Sequence, residues 1–254
     1  MKHVAFDIVG NIAILQAKEK KQERAMKKFA KKILKTHKNI KGVFLRKKIQ
    51  GRLRTPKLKW LAGSKETITI HKEHGCFFKL NIKTCYFSPR LGTDRIDIAN
   101  KVKKGEKVLV MFSGVAPYPI VIAKHSKAAK VYGIELGKEA SKYAQENVKL
   151  NKLKNIVLIQ GDVKKVIPKL KIKFDRVVMA RPQLKEDFLK YAFLVTKKGG
   201  IIHFYDFVKS FYESFNKIND AAKKAKNAVE ILGFKKVREI APYKFHVRID
   251  FKKL

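Results

Sequence analysis

The sequence predicts an α/β protein in which a small α+β unit precedes a larger domain with a mostly parallel β-sheet. Two features of the 254-residue chain carry this prediction. From about residue 86 onwards, apolar strand-like runs alternate with stretches of helical period, which is typical of a parallel sheet covered on both faces. Before that point, short strand-like runs accompany a single helical stretch, which favours a separate small unit. The predicted domains are residues 1–85 and 86–254.

The small unit is predicted to begin with a hairpin and a helix. Residues 4–15 indicate two short strands around a turn at Gly10-Asn11. Residues 18–37 predict an amphipathic helix, because apolar side chains recur at helical spacing. The apolar face of that helix comprises Met26, Phe29, Ala30, Ile33 and Leu34. Four strand-like runs complete the unit: Gly42–Leu45, Trp60–Ala62, Thr67–His71 and Cys76–Leu80.

The larger domain is predicted as strands and helices in alternation, followed by a closing strand pair. The alternating strands are Lys107–Phe112, Val131–Glu135, Ile156–Gln160, Phe174–Met179 and Ile201–Tyr205. The helices are Asp94–Val102, Pro119–His125, Ala140–Leu150, Leu184–Thr196 (stopped by Gly199-Gly200) and Phe211–Leu232. The closing pair is Lys235–Ile240 with His246–Phe251. In sheets of this kind a ligand binds beyond the carboxyl ends of the strands, near the switch point of the strand order.

The most pronounced property of the composition is positive charge. The chain has 60 Lys and Arg against 21 Asp and Glu, a net charge of +39. Such an excess repels itself unless a polyanion is bound, and each neutralised phosphate releases a counterion. A general bias toward Lys is the alternative, but a thermophile-type bias raises Glu together with Lys, and acids are scarce here. The charge therefore favours nucleic acid as the partner.

Several other classes are disfavoured. The chain has no uninterrupted apolar stretch of the roughly 18 residues that suggest a membrane-spanning helix, and its first residues lack the apolar segment of a secretory signal. We therefore expect a cytoplasmic monomer without membrane contact. Cys76 and Cys85 are the only cysteines and have no CxxC or His-rich neighbourhood, so no metal site is predicted.

The loop after the first strand of the larger domain indicates the kind of ligand. Strand Lys107–Phe112 leads into Ser113–Tyr118, where a dinucleotide site would need GxGxxG so that backbone amides reach a pyrophosphate. Only Gly114 is present, and Pro117 has no N–H to donate. A cofactor without phosphates, such as S-adenosyl-L-methionine, fits this loop better.

Two carboxylates follow at the ends of the next two strands. Glu135 comes 21 residues after Gly114, at the place where a carboxylate accepts hydrogen bonds from both ribose hydroxyls. Asp162, in Gly161-Asp162-Val163, follows the third strand and could meet an adenine amino group. One acid at a strand end is usually a solvated turn residue. Two at successive strand ends, after a Gly-containing loop, favour an adenosyl pocket.

Three segments carry a resemblance to one family. They are Tyr-Phe-Ser-Pro-Arg-Leu-Gly-Thr-Asp-Arg at 86–95, Met-Phe-Ser-Gly-Val-Ala-Pro-Tyr at 111–118 and Phe-Asp-Arg-Val-Val-Met at 174–179. Together they resemble the archaeal and eukaryotic tRNA guanine-37 N1-methyltransferase family, which includes relatives that act in wyosine synthesis at the same nucleotide. Residues 40–80, with Leu53-Arg54-Thr55 and Glu73-His74-Gly75, look like the family's middle domain, so the resemblance covers nearly the whole chain.

The resemblance implies a Rossmann-like class I methyltransferase domain that uses S-adenosyl-L-methionine and acts on N1 of guanosine 37 in the anticodon stem-loop of tRNA. It implies that Asp94 is the base for the N1 proton and that Arg54 is the cation at O6. The residues alone leave open that Asp94 is an acid at a helix start and that Arg54 contacts a phosphate. The cofactor pocket would comprise Arg95, Phe112, Gly114, Glu135, Leu136, Asp162, Val163 and Ala180.

The sequence departs from the family pattern in four respects. Val110 stands where the first strand usually ends in Asp, and Asp94 replaces a Glu. Ala180-Arg181-Pro182 replaces Asn-Leu-Pro. Many members also begin with an extra domain that contacts the tRNA elbow, whereas this chain starts at the middle domain.

Three alternatives to N1-methylation of guanosine therefore remain. They are methylation of a wyosine intermediate at the same nucleotide, transfer of the cofactor's aminocarboxypropyl group, and RNA binding without catalysis. The Pro117-Tyr118 loop favours the methyltransferases over the aminocarboxypropyl branch. His203 and His246 lie within predicted strands and are interpreted as hydrogen-bonded structural residues.

Overall fold

The amino-terminal part of the chain is a four-stranded sheet covered by one helix. A computed structural model describes residues 5–16, 23–181 and 188–254. The strands, in their order across the sheet, are β1 (Phe6–Val9), β2 (Ile12–Gln16), β3 (Gly42–Gln50) and β4 (Thr55–Gly63), and α1 (Glu23–Thr36) connects β2 to the parallel β3. Met26, Ala30 and Ile33 of α1 are buried in one apolar cluster with the sheet, so the predicted hairpin and amphipathic helix are confirmed. The predicted start of that helix, before residue 23, lies outside the described residues.

The remaining strands form a hairpin and a seven-stranded sheet. The hairpin consists of β5 (Ile68–Glu73) and β6 (Cys76–Asn81). The sheet strands are β7 (Lys107–Met111), β8 (Lys130–Glu135), β9 (Ile156–Gln160), β10 (Phe174–Met179), β11 (Thr196–Val208), β12 (Val229–Ala241) and β13 (Lys244–Lys253). Their order is β12-β13-β11-β10-β7-β8-β9, with β7 to β11 parallel and β12 and β13 antiparallel. The order reverses between β7 and β10, which is therefore the switch point.

Helices cover both faces of the large sheet, as predicted. One face carries α2 (Gly92–Lys101), α3 (Pro117–His125) and α4 (Lys138–Leu150); the other carries α5 (Val163–Val166), α6 (Leu189–Val195) and α7 (Phe211–Lys224). Strand β7 shows why both faces are filled, because Val108 and Val110 join the first apolar cluster while Leu109 and Met111 join the second. A strand buried on both sides reads as a continuous apolar run.

Asn147 of α4 and Asn151, which follows that helix, hold the β5–β6 hairpin against the large sheet. The side chain of Asn147 accepts from Lys79 N (2.7 Å) and donates to Lys79 O (3.0 Å) and Val115 O (3.0 Å). Asn151 accepts from Phe77 N (2.9 Å) and donates to Phe77 O (2.7 Å). The backbone N–H and C=O groups on the unpaired edge of β6 are therefore hydrogen-bonded to side-chain amides instead of a neighbouring strand.

The carboxyl-terminal elements differ from the prediction in two places. Helix α7 begins with a capping box of Ser210 and Glu213 but ends at Lys224, and residues 229–241 are strand β12 instead of a continuation of the helix to Leu232. Half-buried and exposed side chains alternate along β12, and this period of two suits pairing with β13. The predicted helix Leu184–Thr196 begins outside the described residues, is seen as α6 and gives way at Thr196 to β11, which contains Gly199-Gly200.

Two further properties concern possible functions. Among the described residues, no helix is long and apolar enough to cross a membrane, and no group of His, Cys, Asp and Glu is arranged to hold a metal ion. Cys76 and Cys85 are free and buried, and burial raises the pKa of each thiol to about 11. Both are therefore protonated, unreactive core residues at neutral pH.

Candidate active site

A cavity of about 300 Å³ lies at the switch point, between the amino-terminal sheet and the carboxyl ends of β7, β8 and β10. Its size is at the lower end of the range for sites that bind small organic ligands. Five parts of the chain contribute to it: the turn between β3 and β4, the connection before α2, the strand ends, the start of α4, and β11 to β13. The lining residues are Arg52, Leu53, Arg54, Thr55, Thr84, Cys85, Tyr86, Leu91, Phe112, Gly114, Glu135, Gly137, Lys138, Glu139, Ala140, Ala180, Arg181, Phe207, Arg238 and His246.

Glu135, at the end of β8, is the best-oriented carboxylate in this cavity. Its Oε2 accepts from the backbone N–H of Gly114 (2.8 Å) and its Oε1 from that of Gly137 (2.7 Å). These two amides fix the carboxylate while each oxygen keeps a lone pair for a ligand. Gly114 has φ +57°, and a Cβ there would meet only Tyr86 O within 4 Å, at 3.9 Å. The glycine thus leaves open space beside a carboxylate, an arrangement that fits a ribose with its hydroxyls directed at Glu135.

The loop after β7 shapes the floor of the cavity. Phe112 (φ +63°) and Ala116 (φ +67°) adopt left-handed backbone conformations, which are unfavourable for residues with a Cβ. The loop is held by Ser113 N, which donates to Ile134 O (2.9 Å), and by the Phe112 ring, which packs edge-on against Phe188 at 5.2 Å. The sharp turn brings the backbone of Gly114 next to Glu135.

Guanidinium groups dominate the rest of the lining. Among the described residues, four of the chain's ten Arg residues line the cavity, namely Arg52, Arg54, Arg181 and Arg238, against two carboxylates, Glu135 and Glu139. The guanidinium of Arg54 lies 4.7 Å from the centre of the Tyr86 ring. Burial lowers the pKa of Arg181, and the charges of Arg54 and then Arg52 lower it further. Cations this crowded favour an anionic ligand such as a nucleic-acid backbone.

Asp94 does not reach the cavity. It lies in the first turn of α2, is 3% exposed and is not among the lining residues. Its Oδ2 accepts from the hydroxyls of Tyr118 (2.7 Å) and Tyr205, and its Oδ1 accepts from Arg248 Nη1 (2.6 Å). Burial, and then the charge of Asp94, raise the pKa of both tyrosines well above the usual value, so both hydroxyls stay protonated donors. The Asp94 carboxylate therefore accepts hydrogen bonds from three donors in the interior and does not line the cavity.

Arg95 is also placed away from the cavity. It is 1% exposed, and its Nε and Nη2 donate to the two carboxylate oxygens of Glu73, each at 2.5 Å. Its Nη2 also donates to Ser88 O (3.1 Å). A guanidinium held by a buried bidentate ion pair ties α2 to the β5–β6 hairpin and has no free face for a cofactor.

The other predicted pocket residues divide into two groups. Phe112, Gly114, Glu135 and Ala180 line the cavity together with Arg54. Leu136, Asp162 and Val163 do not: Val163 is buried in the core, and Leu136 contributes its carbonyl to Gln160. Asp162 pairs with Arg52 (2.6 Å) and caps α5 through Lys164 N. Burial opposes ionisation of Asp162, but these hydrogen bonds outweigh it and lower its pKa.

The two strand histidines lie in different environments. His203 is hydrogen-bonded at both ring nitrogens, to Asp250 Oδ1 (2.6 Å) and to Arg176 Nη1 (2.8 Å), which confirms its interpretation as a structural residue. His246 is 2% exposed and lines the cavity, and no residue that the structure describes is hydrogen-bonded to either of its ring nitrogens. Its interpretation as a satisfied residue is therefore wrong.

His246 is uncharged at neutral pH. Burial first, and then the charges of Arg238 and Arg54, lower its pKa to about 3. The sequence did not single out His246, Arg181 or Arg238 as site residues, because their roles depend on loops and strands that meet only in the fold. The sequence indicated that His246 lies in a strand, but it could not show that the ring nitrogens lack hydrogen-bond partners.

Two family profiles match consecutive parts of the chain. Residues 69–232 match the profile of the TRM5/TYW2 methyltransferase domain, and residues 2–67 match that of the TYW2 N-terminal domain. The two matches meet at Ile68, the first residue of β5, so that the rest of the β5–β6 hairpin falls within the methyltransferase match, whereas the predicted boundary at residue 85 lies after the hairpin. That predicted boundary stays a prediction.

Individual relatives are similar over nearly the full chain. The chain is 38% identical over 252 residues to the tRNA (guanine(37)-N(1))-methyltransferase Trm5b of Pyrococcus abyssi, covering 98% of this chain and 74% of the relative. It is 33% identical over 301 aligned positions to the tRNA (guanine(37)-N(1))/4-demethylwyosine(37)-methyltransferase Taw22 of Nanoarchaeum equitans, covering 97% of this chain and 99% of the relative.

Solved structures agree with this similarity. The structure of aTrm5 in complex with tRNALeu superposes with a TM-score of 0.88 at 34% identity, covering 98% of this chain and 72% of the other. That of Methanocaldococcus jannaschii Trm5 in complex with adenosine superposes with a TM-score of 0.85 at 34% identity, covering 99% and 74%. The fold and the sequence therefore point to the same group of proteins.

Acid should destabilise the protein through His246. An unfolded histidine has a pKa of about 6.5, so between pH 6.5 and 3 the unfolded chain binds more protons and the free energy of unfolding falls as the pH falls. Between pH 7.5 and 5.0 this residue should account for a loss of about 2 kcal/mol. Urea unfolding at the two pH values should show that His246→Phe loses that much less than the wild type. His37→Phe makes the same exchange outside the cavity lining, and equal pH dependence of the wild type and His246→Phe would contradict the assignment.

Proposed function

Since the chain belongs to the TRM5/TYW2 methyltransferase family, we propose that it transfers a methyl group from S-adenosyl-L-methionine to N1 of guanosine 37 in tRNA. One observation carries the proposal: a single cavity at the switch point joins an amide-oriented carboxylate, Glu135, to a cluster of guanidinium groups. A methyltransferase acting on RNA needs both, a nucleoside site for its cofactor and a cationic site for its substrate. The relative from Pyrococcus abyssi is named for this reaction.

The cofactor site is supported by the residues around Glu135. S-adenosyl-L-methionine supplies a methyl group on a positively charged sulfur. Glu135 would accept hydrogen bonds from the ribose hydroxyls, and Phe112 and Ala180 would provide apolar walls. The adenosine complex of the Methanocaldococcus jannaschii relative supports a nucleoside in this fold. Asp162 accepts one hydrogen bond at each oxygen, from Arg52 and from Lys164 N, and a remaining lone pair would accept from the adenine amino group.

The substrate chemistry assigns a role to Arg54. Guanine N1 carries a proton that must leave before the ring nitrogen can accept a methyl group, and the resulting negative charge moves onto O6. Arg54 lines the cavity on the side of the amino-terminal sheet, where a fixed cation would stabilise that charge. Its neighbours Arg52 and Arg181 would contact the phosphates on either side of the target nucleotide.

The partner in this proposal is the anticodon stem-loop of tRNA, bound by a cytoplasmic monomer. The net charge of +39 supports a polyanion, and a structural relative is seen in complex with tRNALeu. A second candidate substrate is a wyosine intermediate at the same nucleotide. It is favoured by the match of residues 2–67 to the TYW2 N-terminal domain and by the similarity to Taw22.

Mass spectrometry of nucleosides should decide between these substrates. Purified protein is incubated with labelled cofactor and either an unmodified tRNA transcript or tRNA that carries the wyosine intermediate. We expect the label in 1-methylguanosine from the transcript. Label only in the intermediate would replace the main proposal by the second, and label in neither would reject both.

Replacement of Glu135 should weaken cofactor binding. Glu135→Ala removes the acceptor for the ribose hydroxyls, and the loss of charged hydrogen bonds costs about 1–3 kcal/mol. Calorimetric titration with S-adenosyl-L-methionine should show this loss. Glu146→Ala is the control, because it removes the same charge from α4 outside the cavity lining, where Glu146 pairs with Lys79. This variant should bind S-adenosyl-L-methionine with the affinity of the wild type. Unchanged affinity of Glu135→Ala would place the ribose elsewhere.

The proposed role of Asp94 as the base can be separated from its role as an anchor. Taking the N1 proton would require the carboxylate to leave Tyr118, Tyr205 or Arg248 and reach the cavity. If it does so, Asp94→Asn should slow single-turnover methyl transfer by about 10²–10⁴-fold, whereas Asp94→Glu should retain transfer. Thermal melting of both variants reports the anchor separately. Wild-type turnover by Asp94→Asn would leave Asp94 only the structural role.

A further inference from the structure

Three neighbouring strands present one row of side chains to the cavity. Phe207 of β11 is directly opposite His246 of β13, and His246 is in turn opposite Arg238 of β12. All three line the cavity, on elements other than those that carry Glu135 and Gly114. The row therefore faces the part of the cavity that the cofactor residues leave to the substrate.

Among the described residues, the ring nitrogens of His246 and the Nε of Arg238 are the atoms of this row that are buried without a hydrogen-bond partner. His246 is only 2% exposed, and neither of its ring nitrogens has a hydrogen-bond partner among the described residues. Its ring is confined by Tyr205 at 5.6 Å and by Phe207, edge-on at 5.0 Å. Buried polar side chains in folded proteins are nearly always hydrogen-bonded, so an exception on a cavity wall indicates a missing ligand group.

The charges nearby decide what kind of group that is. Arg238 and Arg54 oppose a positive charge on the imidazole, so the ring is neutral and one of its nitrogens accepts a hydrogen bond. The guanidinium groups can only donate. His246 thus offers an acceptor on a wall otherwise rich in donors, and it suits a ligand with an N–H of its own.

We propose that the row Phe207–His246–Arg238 recognises the target base, with His246 accepting a hydrogen bond from the 2-amino group of guanine. This inference rests on the proposed function. The Watson–Crick edge of guanine has two donors, N1–H and the 2-amino group. The N1 proton is lost in the reaction and the methyl group must approach N1, so the 2-amino group is the donor that stays available throughout. His246 is a specificity-determining residue in this arrangement, because adenine carries no 2-amino group.

Inosine isolates this contact, since it keeps N1–H and O6 but lacks the 2-amino group. Anticodon stem-loop RNAs with guanosine or inosine at position 37 are titrated by fluorescence anisotropy with the full chain, in the presence of S-adenosylhomocysteine so that no transfer occurs. We expect the wild type to bind the guanosine RNA about 5–10 times more tightly than the inosine RNA. His246→Phe should bind the two within a factor of about two, mainly through weaker binding of the guanosine RNA.

Two further variants separate recognition from folding. His246→Gln keeps an acceptor and should restore part of the preference for guanosine, which a purely structural role would not do. His37→Phe makes the same exchange outside the cavity lining and should keep the wild-type preference. If His246→Phe does not fold, as judged by circular dichroism, the guanosine preferences of the wild type and His246→Gln are compared instead. His246→Gln should then show part of the wild-type preference, and a full wild-type preference would reject the role of His246. A wild type without preference, or a His246→Phe with the full preference, would overturn the proposal.

The same preparations distinguish this inference from the proposed function. If the wild type forms 1-methylguanosine in tRNA while His246→Phe keeps the full preference for guanosine, only the role of His246 is rejected. If the preference depends on His246 but the wild type forms no 1-methylguanosine, the recognition surface is supported and the proposed methyl transfer is rejected.

Discussion

The guanidinium of Arg248 connects the parts of the chain that surround the cavity. This residue of β13 is 2% exposed, donates to Asp94 of α2 (2.6 Å) and to Asp250 of its own strand (2.8 Å), and forms an ion pair with Asp97 of α2 (2.6 Å). The contacts lock the helix that follows the connection at 84–91 onto the strand that carries His246. A buried cation with three carboxylates is far from its ordinary solvation, and removing one partner of such a pair typically costs about 3–5 kcal/mol. The position of two cavity walls therefore depends on this one group.

A second buried chain extends the same connection across the sheet. Asp250 accepts from Arg248 and contacts His203, which contacts Arg176, and Arg176 pairs with Glu106 at the start of β7. Every polar side-chain atom in this series of contacts has a partner, and such pairing allows charged groups to stay in the interior. The contrast with His246, two residues before Arg248 on β13, is informative because the surroundings are similar and only the hydrogen bonds are missing. The groups from Arg248 to Glu106 are all hydrogen-bonded, whereas the ring nitrogens of His246 have no partner among the described residues.

The cavity itself divides by charge. On the side of β8, a carboxylate held by two backbone amides lies beside a glycine that leaves open space, which suits a nucleoside. On the opposite side, Arg52 and Arg54 of the amino-terminal part approach Arg181 of the large domain, which suits phosphates. Arg52 joins the two sides through Asp162. The small sheet therefore supplies a cationic edge to a site that the large sheet could not complete alone.

The fold class, the Gly114–Glu135 half of the candidate site and the family resemblance follow from the amino-acid sequence. These features depend on local periodicity and on strand ends, and a parallel sheet always brings its carboxyl ends to one edge. Which charged residues face the cavity, in contrast, depends on how distant elements pack. Asp94 and Arg95 are adjacent in one of the segments that carry the family resemblance, yet the fold assigns both to buried ion pairs, because Arg248 and Glu73 come from distant strands. Likewise, β12 begins at Val229, within the end of the predicted helix, because β13 offered an edge for pairing, and the register of this strand pair places Arg238 beside His246. Partners that are far apart in the chain determine whether a polar side chain is satisfied, and this information is absent from any local pattern of residues.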